Sequence, residues 1–358
     1  MDGVLPSQVL RQMIARGQIA APAPILADQV QPASLDLRLG EVAWRVRASF
    51  LSGPQHDFAD RLADFQMHRI DLAGGAVLEK GCVYVVKLVE HLTLPPDVHA
   101  VANARSSIGR LDLLTRTITD RGAAFDRIAC GYCGPLYAEI CPRSFSVLVR
   151  PGLRLNQVRF RRGQSRLSDA ALAALHAQTP LADGNAQIAN GLVFSVDLRP
   201  LRGDWVGYRA KPHTGVIDLG RMAAYDVAAY WEAVRPFDGH IILDPGAFYI
   251  LVSREAVRIP PQCAAEMAPY LAMMGEFRVH YAGFFDPGFG DAATGGRLSR
   301  SVLEVRCHEA PFALEHGQAV GLLQYERMAQ VPDRLYGAGA GAHYQGQGLK
   351  LSRHFREP

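Results

Sequence analysis

Two guanidinium groups and two hydroxyl groups lie within six residues of one another in the run Arg105-Ser106-Ser107-Ile108-Gly109-Arg110. Arginine offers paired donors to phosphate, serine adds neutral donors, and glycine lets backbone N–H groups approach a ligand. The run therefore predicts a site for a polyanion such as a nucleotide phosphate. The alternative is an ordinary helix start with a serine N-cap and surface arginines, and this stretch alone leaves both interpretations open.

A carboxylate that could transfer protons follows in a strand-like segment, residues 136–140. Side chains alternate along a strand, so Glu139 shares a face with Tyr137 and points either into a pocket or into solvent. Because carboxylates are mostly exposed, the pattern by itself favours a solvated Glu139 over a catalytic one.

The chain contains a long internal repeat. Leu78-Glu79-Lys80-Gly81 recurs as Leu243-Asp244-Pro245-Gly246, and the same offset of 165 residues takes Glu139 to Glu304. A repeat of this length is a whole domain and not a solenoid unit. The sequence therefore predicts two copies of one domain, at 1–160 and 191–358, joined by an Arg-, Gln- and Ala-rich linker at 161–190.

The polar run is present in the first copy alone. Its counterpart in the second copy, residues 270–275, reads Tyr-Leu-Ala-Met-Met-Gly. We therefore expect the first copy to supply this part of a site.

Secondary structure is predicted to be mostly strand. Short β-branched and aromatic runs are bounded by Gly and Pro turns, a pattern typical of a barrel or jelly roll. Helical periodicity is confined to residues 7–16, 168–176 and 223–234.

Composition limits the class of protein. The 358 residues are 49% apolar and 20% charged with a net charge of +3, which is typical of a globular chain and gives no reason to expect a nucleic-acid partner. No targeting signal or membrane-length apolar run is visible. Six cysteines are too few for a disulfide scaffold and fall in strand-like runs, so we predict buried thiols in a reducing cytoplasm.

The pair Cys130-x-x-Cys133 resembles half of a zinc site. Zinc deaminases also need a His-x-Glu pair, and none of the twelve histidines is followed two positions later by Glu. No catalytic zinc is predicted.

Taken together, several motifs resemble the dCTP deaminase branch of the dUTPase-like superfamily. They are Ser-x-Asp-Leu-Arg-Leu-Gly from Ser34, the run from Arg105 to Arg110, Asp126 followed by Gly-Tyr-x-Gly, and Arg-Pro-Gly-x-x-x-x-Gln from Arg150. The resemblance covers the first copy almost completely, the second copy in its strand framework, and the C-terminal run 336–353. It implies a mainly β fold of two tandem distorted β jelly-roll domains with a few short helices.

The resemblance also implies an activity, the hydrolysis of dCTP to dUTP and ammonia in the biosynthesis of dUMP and dTTP precursors. The implied cofactor is Mg²⁺ bound through the triphosphate, with no metal ligand from the protein. Implied partners are dCTP and dUTP, with dTTP as a candidate inhibitor, in a homo-oligomer without nucleic acid or membrane.

Roles follow from the resemblance residue by residue. Ser106 and Arg110 are expected to hold the attacking water and the essential carboxylate, Arg105 and Ser107 to contact phosphates, and Glu139 to be the general acid/base. The expected substrate-binding set also contains Asp126, Tyr132, Asp286, Tyr336, His343 and Gln347. The last three lie in a C-terminal lid, about 335–358, in which the family usually has Lys at the position of His343.

A second carboxylate competes with Glu139. Residues 127–129 separate Asp126 from the Cys-Gly-Tyr that follows, whereas the second copy keeps Asp286 directly before Pro-Gly. Sites in this superfamily form between neighbouring domains, so Glu304 with Asp286 is a rival pair. Glu139 is favoured because it lies in the same copy as the polar run.

Three functions remain as hypotheses from different classes. The first is a dCTP deaminase, with or without further conversion to dUMP and diphosphate; the second is a dUTP diphosphatase; the third is a catalytically inactive nucleotide sensor. The polar run together with a strand Glu is what a deaminase needs and a diphosphatase alone does not.

Overall fold

The protein is described by a computed structural model that covers residues 2–184, 186–200, 203–269, 277–279, 283–338 and 346–356, with backbone alone at 269 and 277–279. The strands up to residue 162 are β1 (Gly3–Val4), β2 (Ile19–Ala20), β3 (Leu35–Val46), β4 (Gln66–Asp71), β5 (Ala76–Leu78), β6 (Val83–Thr93), β7 (Val98–Ala104), β8 (Leu113–Thr119), β9 (Arg127–Ile128), β10 (Cys133–Pro142), β11 (Val147–Val149) and β12 (Arg154–Arg162).

The later strands are β13 (Leu192–Ser195), β14 (Gly207–Ala210), β15 (Ile217–Asp218), β16 (Trp231–Val234), β17 (His240–Leu243), β18 (Phe248–Val257), β19 (Cys263–Pro269), β20 (Phe277–Val279), β21 (Phe284–Phe285), β22 (Ser299–Cys307), β23 (Phe312–Glu315) and β24 (Ala319–Arg327). The helices are α1 (Ser7–Ala15), α2 (Phe58–Phe65), α3 (Ser106–Gly109), α4 (Asp169–Gln178) and α5 (Val227–Tyr230), with 3₁₀ turns at Ala27–Gln29 and Ala292–Thr294.

Strand pairing repeats between the two halves. β10 lies between β6 and β8, and β22 lies between β18 and β20 in the same way; β12 pairs with β7 as β24 pairs with β19. The sheets are barrel-like, so the predicted mainly β fold of two tandem units is confirmed. The repeated pairing places Glu139 and Glu304 at equivalent positions of equivalent strands.

The two copies share buried surface. One hydrophobic cluster contains Leu35, Val86 and Phe160 of the first copy together with Trp231 and Phe248 of the second. In addition, β11 pairs in parallel with β15 across the boundary between copies. Apolar side chains from both copies are therefore removed from water together, and this burial favours a fixed arrangement of the copies.

One predicted helix is mostly wrong. The segment 223–234 contains only the single turn α5, and residues 231–234 form β16 instead. β16 pairs with β14, with Trp231 opposite Ala210, and Trp231 is buried against Phe248 and Phe355. Pairing and aromatic packing override the helical preference of the Ala-rich sequence.

The predicted linker is packed and not extended. Within it, α4 begins after the N-cap Ser168, whose hydroxyl accepts from the Ala171 N–H. Leu172 and Leu181 are buried in the hydrophobic cluster of the second copy. The domain boundaries stay a prediction, but these contacts attach 168–181 to the second copy.

The six cysteines differ in burial, and Cys82 is only partly buried. Cys141, Cys263 and Cys307 are buried free thiols, as predicted. Cys130 and Cys133 are exposed, because they lie at the hairpin before and at the start of β10, where the chain turns in solvent.

Candidate active site between the two copies

The polar run forms the short connection from β7 to β8. Arg105 is the N-cap residue of α3 and makes no side-chain capping hydrogen bond, so the serine N-cap interpretation is not supported. Ser107 is buried, whereas Ser106 is partly exposed. A Cβ atom on Gly283 of the second copy would lie 3.6 Å from Ser106 Oγ. The second copy therefore approaches this run closely.

The guanidinium of Arg110 connects the run to the C-terminal tail. Its Nη1 donates to the Lys350 carbonyl oxygen at 2.8 Å, and its Nη2 donates to Gln347 Oε1 at 3.0 Å. Arg110 is also close enough to Glu304 to favour the charged form of that carboxylate. Three parts of the chain, the run, the tail and β22, thus converge at one guanidinium.

Glu304 lies in the middle of β22 and is 6% exposed. Burial raises the pKa of Glu304 well above its ordinary value, Arg110 opposes that rise, and Asp112 adds to it. A glutamate with a raised pKa holds a proton more readily than an ordinary glutamate, and its ionised form is a stronger base. This is the property that a general acid/base requires.

A second group of charges continues the site towards the hairpin that precedes β22. Arg105 Nε lies 3.3 Å from Asp36 Oδ1, and burial raises the pKa of Asp36 to about 6. Asp286 also raises the pKa of Asp36, which indicates that these carboxylates are near each other. Asp286 accepts from Arg159 Nη2 at 3.0 Å, and burial raises the pKa of Asp286 as well.

Arg159 joins the copies through the backbone as well as through Asp286. Its guanidinium is fully buried and donates to the Ala265 carbonyl at 2.8 Å and to the Ala33 carbonyl at 3.3 Å. The Phe284 ring lies 4.1 Å from the guanidinium carbon. A buried charge with this many partners fixes the Asp286 hairpin against the first copy.

The expected lid residues are divided between these elements. Tyr336 packs against Phe289, and its N–H donates to the Pro287 carbonyl at 2.8 Å, so it lies beside the Asp286 hairpin. Gln347 binds Arg110 and donates to the Arg300 carbonyl at 3.3 Å. His343 lies outside the described residues.

The end of the tail is anchored beneath the polar run. The Ser352 hydroxyl lies 2.7 Å from the Ser107 carbonyl oxygen and 2.8 Å from His354 Nδ1. His354 Nε2 lies 3.2 Å from the Leu219 carbonyl oxygen, to which a neutral imidazole protonated at Nε2 donates. Burial lowers the pKa of His354 from 6.5 to about 4.

This histidine makes the tail sensitive to acid. Since the folded pKa is below the unfolded one, the stabilisation is present above pH 6.5 and is lost as pH falls towards 4. The loss attributable to His354 is on the order of 3 kcal/mol. We expect the free energy of unfolding to depend less steeply on pH in this window in His354→Gln than in wild type. Parallel slopes in urea titrations of the two proteins at several pH values would contradict this expectation.

Glu139 occupies a different environment. It is 1% exposed, so the expectation of a solvated side chain is wrong, and it accepts from Arg116 Nε at 3.0 Å. Arg116 also donates to Ser49 Oγ at 2.9 Å, and its guanidinium carbon lies 3.6 Å from the Phe125 ring centroid. Glu139 is therefore engaged by an arginine of its own copy.

The other predicted residues of the first-copy hairpin lie with Glu139. Asp126 accepts from the Thr117 N–H at 2.7 Å, burial raises the pKa of Asp126 to about 7, and Glu139 contributes to that rise. The Tyr132 hydroxyl accepts from the Asp120 N–H at 3.1 Å. The contacts of the described residues thus divide the predicted set in two. One group is built around Arg110 and Glu304, and the other around Arg116 and Glu139.

Sequence reasoning missed four charged residues of the first group: Asp36, Asp112, Arg159 and Arg306. Arg306 Nη1 binds Asp112 Oδ2, and Asp112 also accepts from Ser144 Oγ at 2.6 Å. One signal was available for Arg306, because it lies two positions after Glu304 and so shares its strand face. Nothing in the sequence pointed to Arg159 or Asp112.

Among the residues that the structure describes, no three His, Cys, Asp or Glu side chains are grouped so as to hold a metal ion. In the same residues, no helix is long and apolar enough to cross a membrane.

Comparison with known proteins shows the family of the chain. Residues 1–164 match the N-terminal domain model of 2'-deoxycytidine 5'-triphosphate deaminase, and residues 168–355 match its C-terminal domain model. A crystal structure of 2'-deoxycytidine 5'-triphosphate deaminase from Agrobacterium tumefaciens is 50% identical, with a TM-score of 0.88 over 93% of this chain and 99% of that one.

Shorter proteins match as well. A dCTP deaminase of Halorubrum lacusprofundi is 27% identical over 43% of this chain and 74% of its own length. A dUMP-forming dCTP deaminase of Beutenbergia cavernae is 32% identical over 31% of this chain and 55% of its own length. The two-domain match, together with the fold, shows that the chain belongs to the 2'-deoxycytidine 5'-triphosphate deaminase family, as the sequence motifs predicted.

Proposed function

We propose that this protein hydrolyses the 4-amino group of dCTP to give dUTP and ammonia, with Glu304 as the general acid/base. The observation that carries the proposal is the buried Glu304 carboxylate, whose pKa is raised, facing Arg110 at the end of the polar run. Family membership supplies the substrate class, and the geometry favours Glu304 over Glu139, which Arg116 engages.

In the proposed reaction Glu304 transfers protons and Arg110 affects the charge of Glu304. Water is a weak nucleophile towards C4 of cytosine, so a carboxylate must take its proton as the new bond forms. Glu304 accepts this proton and passes protons to N3 and to the departing nitrogen. Burial raises the pKa of the Glu304 carboxyl and so makes its ionised form a stronger base, while Arg110 opposes this rise by favouring the anion.

Nucleotide binding falls to the remaining members of the first group. Arg105 and Ser107 of the run would contact phosphates, and Ser106, which lies close to Gly283 of the second copy, would hold the water. Asp286, fixed by Arg159, is the candidate contact for the nucleoside. Tyr336 and Gln347 close the site from the tail, and His343 stays a predicted phosphate contact.

Mg²⁺ fits as an ion carried by the substrate. The triphosphate oxygens would hold it, with Arg105 adding positive charge and Ser107 a neutral hydrogen-bond donor. When bound, Mg²⁺ supplies neutralisation of the phosphate charge. No catalytic zinc is proposed.

Continued hydrolysis to dUMP and diphosphate is a second candidate, because several relatives are dUMP-forming enzymes. We further propose a cytoplasmic homo-oligomer with dTTP as an inhibitor and no nucleic-acid or membrane partner. Glu139, Asp126 and Tyr132 are assigned to a structural hairpin in this scheme.

Product analysis tests the proposed function. We expect purified protein to release ammonia from dCTP with Mg²⁺, and to do so after exhaustive zinc chelation once Mg²⁺ is restored, because the His-x-Glu pair of zinc deaminases is missing from the sequence. Chromatography for dUTP, dUMP and diphosphate identifies where the reaction ends. Activity that only added zinc restores, or cleavage of dUTP without ammonia release from dCTP, would contradict the proposal.

A further inference from the structure

One of the ion pairs that join the two copies lies beside the proposed acid/base. Arg306 follows Glu304 by two positions on β22, so both side chains leave the strand on the same face. Arg306 Nη1 binds Asp112 Oδ2 of the first copy, and Arg110, two positions before Asp112, acts on Glu304. Asp112 and Arg306 thus form an ion pair between the loop and the strand, and the neighbouring Arg110 of the same loop acts electrostatically on Glu304 of the same strand.

Asp112, between α3 and β8, makes several contacts that fix its side chain and backbone. It is fully buried, its side chain also accepts from Ser144 Oγ at 2.6 Å, and its carbonyl accepts from the Arg143 N–H at 3.0 Å. Its φ of 54° lies in the left-handed region, which disfavours most side chains. A side chain keeps this conformation only where surrounding contacts hold the backbone in place. Residues of this kind are concentrated at functional sites.

The pair is specific to one of the two equivalent positions. At the repeat offset of 165, Arg306 corresponds to Cys141 and Asp112 corresponds to Phe277. The Glu139 hairpin therefore has neither charge. If the ion pair served only to attach one copy to the other, it would not need to lie beside Glu304. Its position therefore indicates a role connected with that carboxylate.

We infer that Asp112 is a positioning residue for the deamination reaction, which orients β22 through Arg306 and offsets the positive charge of Arg110 at Glu304. The inference rests on the proposed function. Without Asp112, Glu304 would face two cations, Arg110 and Arg306, and would be a weaker base. Without Arg306, the buried Asp112 carboxylate would be left beside Glu304 with its ion-pair partner removed.

The other neighbours of Glu304 carry no competing charge where the structure describes them. Its partner on β18 is the apolar Ile250. The tail reaches Arg110 through the neutral amide of Gln347 and a backbone carbonyl. The side chains of β20, on the opposite edge of β22, lie outside the described residues. Among the described groups, Arg110 and Asp112 therefore act on the charge of Glu304, and Arg306 is the ion-pair partner of Asp112.

The test is the pH dependence of kcat/KM for dCTP with Mg²⁺ in wild type and in Asp112→Asn and Arg306→Met. The acidic limb reports the ionisation of the general base in the free enzyme. We expect Asp112→Asn to move this limb to lower pH by about one unit and Arg306→Met to move it to higher pH, since the two changes leave opposite charges uncompensated. Arg306→Lys, which keeps the cation, should restore the wild-type limb.

Asp218→Asn is the matched control. It removes another ion pair between the copies, Arg150 with Asp218 at 2.7 Å, and its hydrogen-bond partners Arg150, Gly220 and Tyr225 are not site residues. We expect its profile to match that of wild type. Asp112→Asn and Arg306→Met profiles that fall in height without opposite shifts would overturn the inference.

The variants also separate this inference from the proposed function. Wild-type protein that releases no ammonia would contradict the proposed function itself. If wild type is active but the acidic limb of the kcat/KM profile of Arg306→Met lies at the wild-type pH, the role of Asp112 alone is overturned. If Asp112→Asn does not fold, the profile of Arg306→Met is the deciding measurement.

Discussion

Glu304→Gln should bind dCTP and fail to release ammonia, with kcat reduced by about 10²–10⁴-fold, the range expected for removal of one general base. Glutamine keeps the size and hydrogen bonding of the buried side chain but cannot accept the proton of water. Rates of ammonia release and the affinity for dCTP, measured separately, distinguish a lost proton acceptor from a lost binding site.

Glu139→Gln is the matched control for that result. It makes the same chemical change at the equivalent position of the other copy, where Arg116 engages the carboxylate. We expect turnover close to wild type, with any loss appearing in thermal stability because a buried ion pair loses one charge. Abolished turnover in Glu139→Gln with near-normal turnover in Glu304→Gln would move the reaction to the first-copy hairpin.

Mixing two inactive variants, Arg110→Ala and Glu304→Gln, should restore no activity. Arg110 comes from the first copy and Glu304 from the second, yet within one chain the two lie close enough for the guanidinium to affect the carboxylate. Each site then needs both residues from the same polypeptide, and every chain in the mixture lacks one of them. The measurement is ammonia release after co-refolding or co-expression of the two variants.

An assembly whose sites combined the run of one subunit with β22 of another would give a different result. Some sites would then receive an intact Arg110 from one chain and an intact Glu304 from the other, and activity would return in the mixture. A double variant carrying both changes on one chain, mixed with wild type, controls for the effect of assembly on the remaining wild-type sites.

The sequence alone was sufficient for the mainly β fold and for the family to which the chain belongs. An offset of 165 residues exposed the duplication because each copy repeats the same turn chemistry between the same strands. The polar run identified the copy that supplies the guanidinium and hydroxyl groups. The repeated turns and the polar run each depend on residues close together in the chain, so they can be recognised from the sequence.

Other features depended on contacts between distant residues. The helix predicted at 223–234 is mostly wrong because Trp231 pairs with β14 as part of a strand and packs in a cluster of aromatic rings. Glu139 was expected in solvent because strand alternation cannot reveal that Arg116, on the paired strand β8, covers its face.

The choice between the carboxylates belongs entirely to tertiary structure. Glu139 and Glu304 occupy equivalent positions of equivalent strands, and along the chain Glu139 is by far the nearer to Arg110. Electrostatic interaction depends on separation in space and on burial, neither of which the order of residues supplies. Packing of the second copy against the first brings Glu304 on β22 close enough to Arg110 and Asp112 for their charges to act on it, and Arg306 of the same strand binds Asp112.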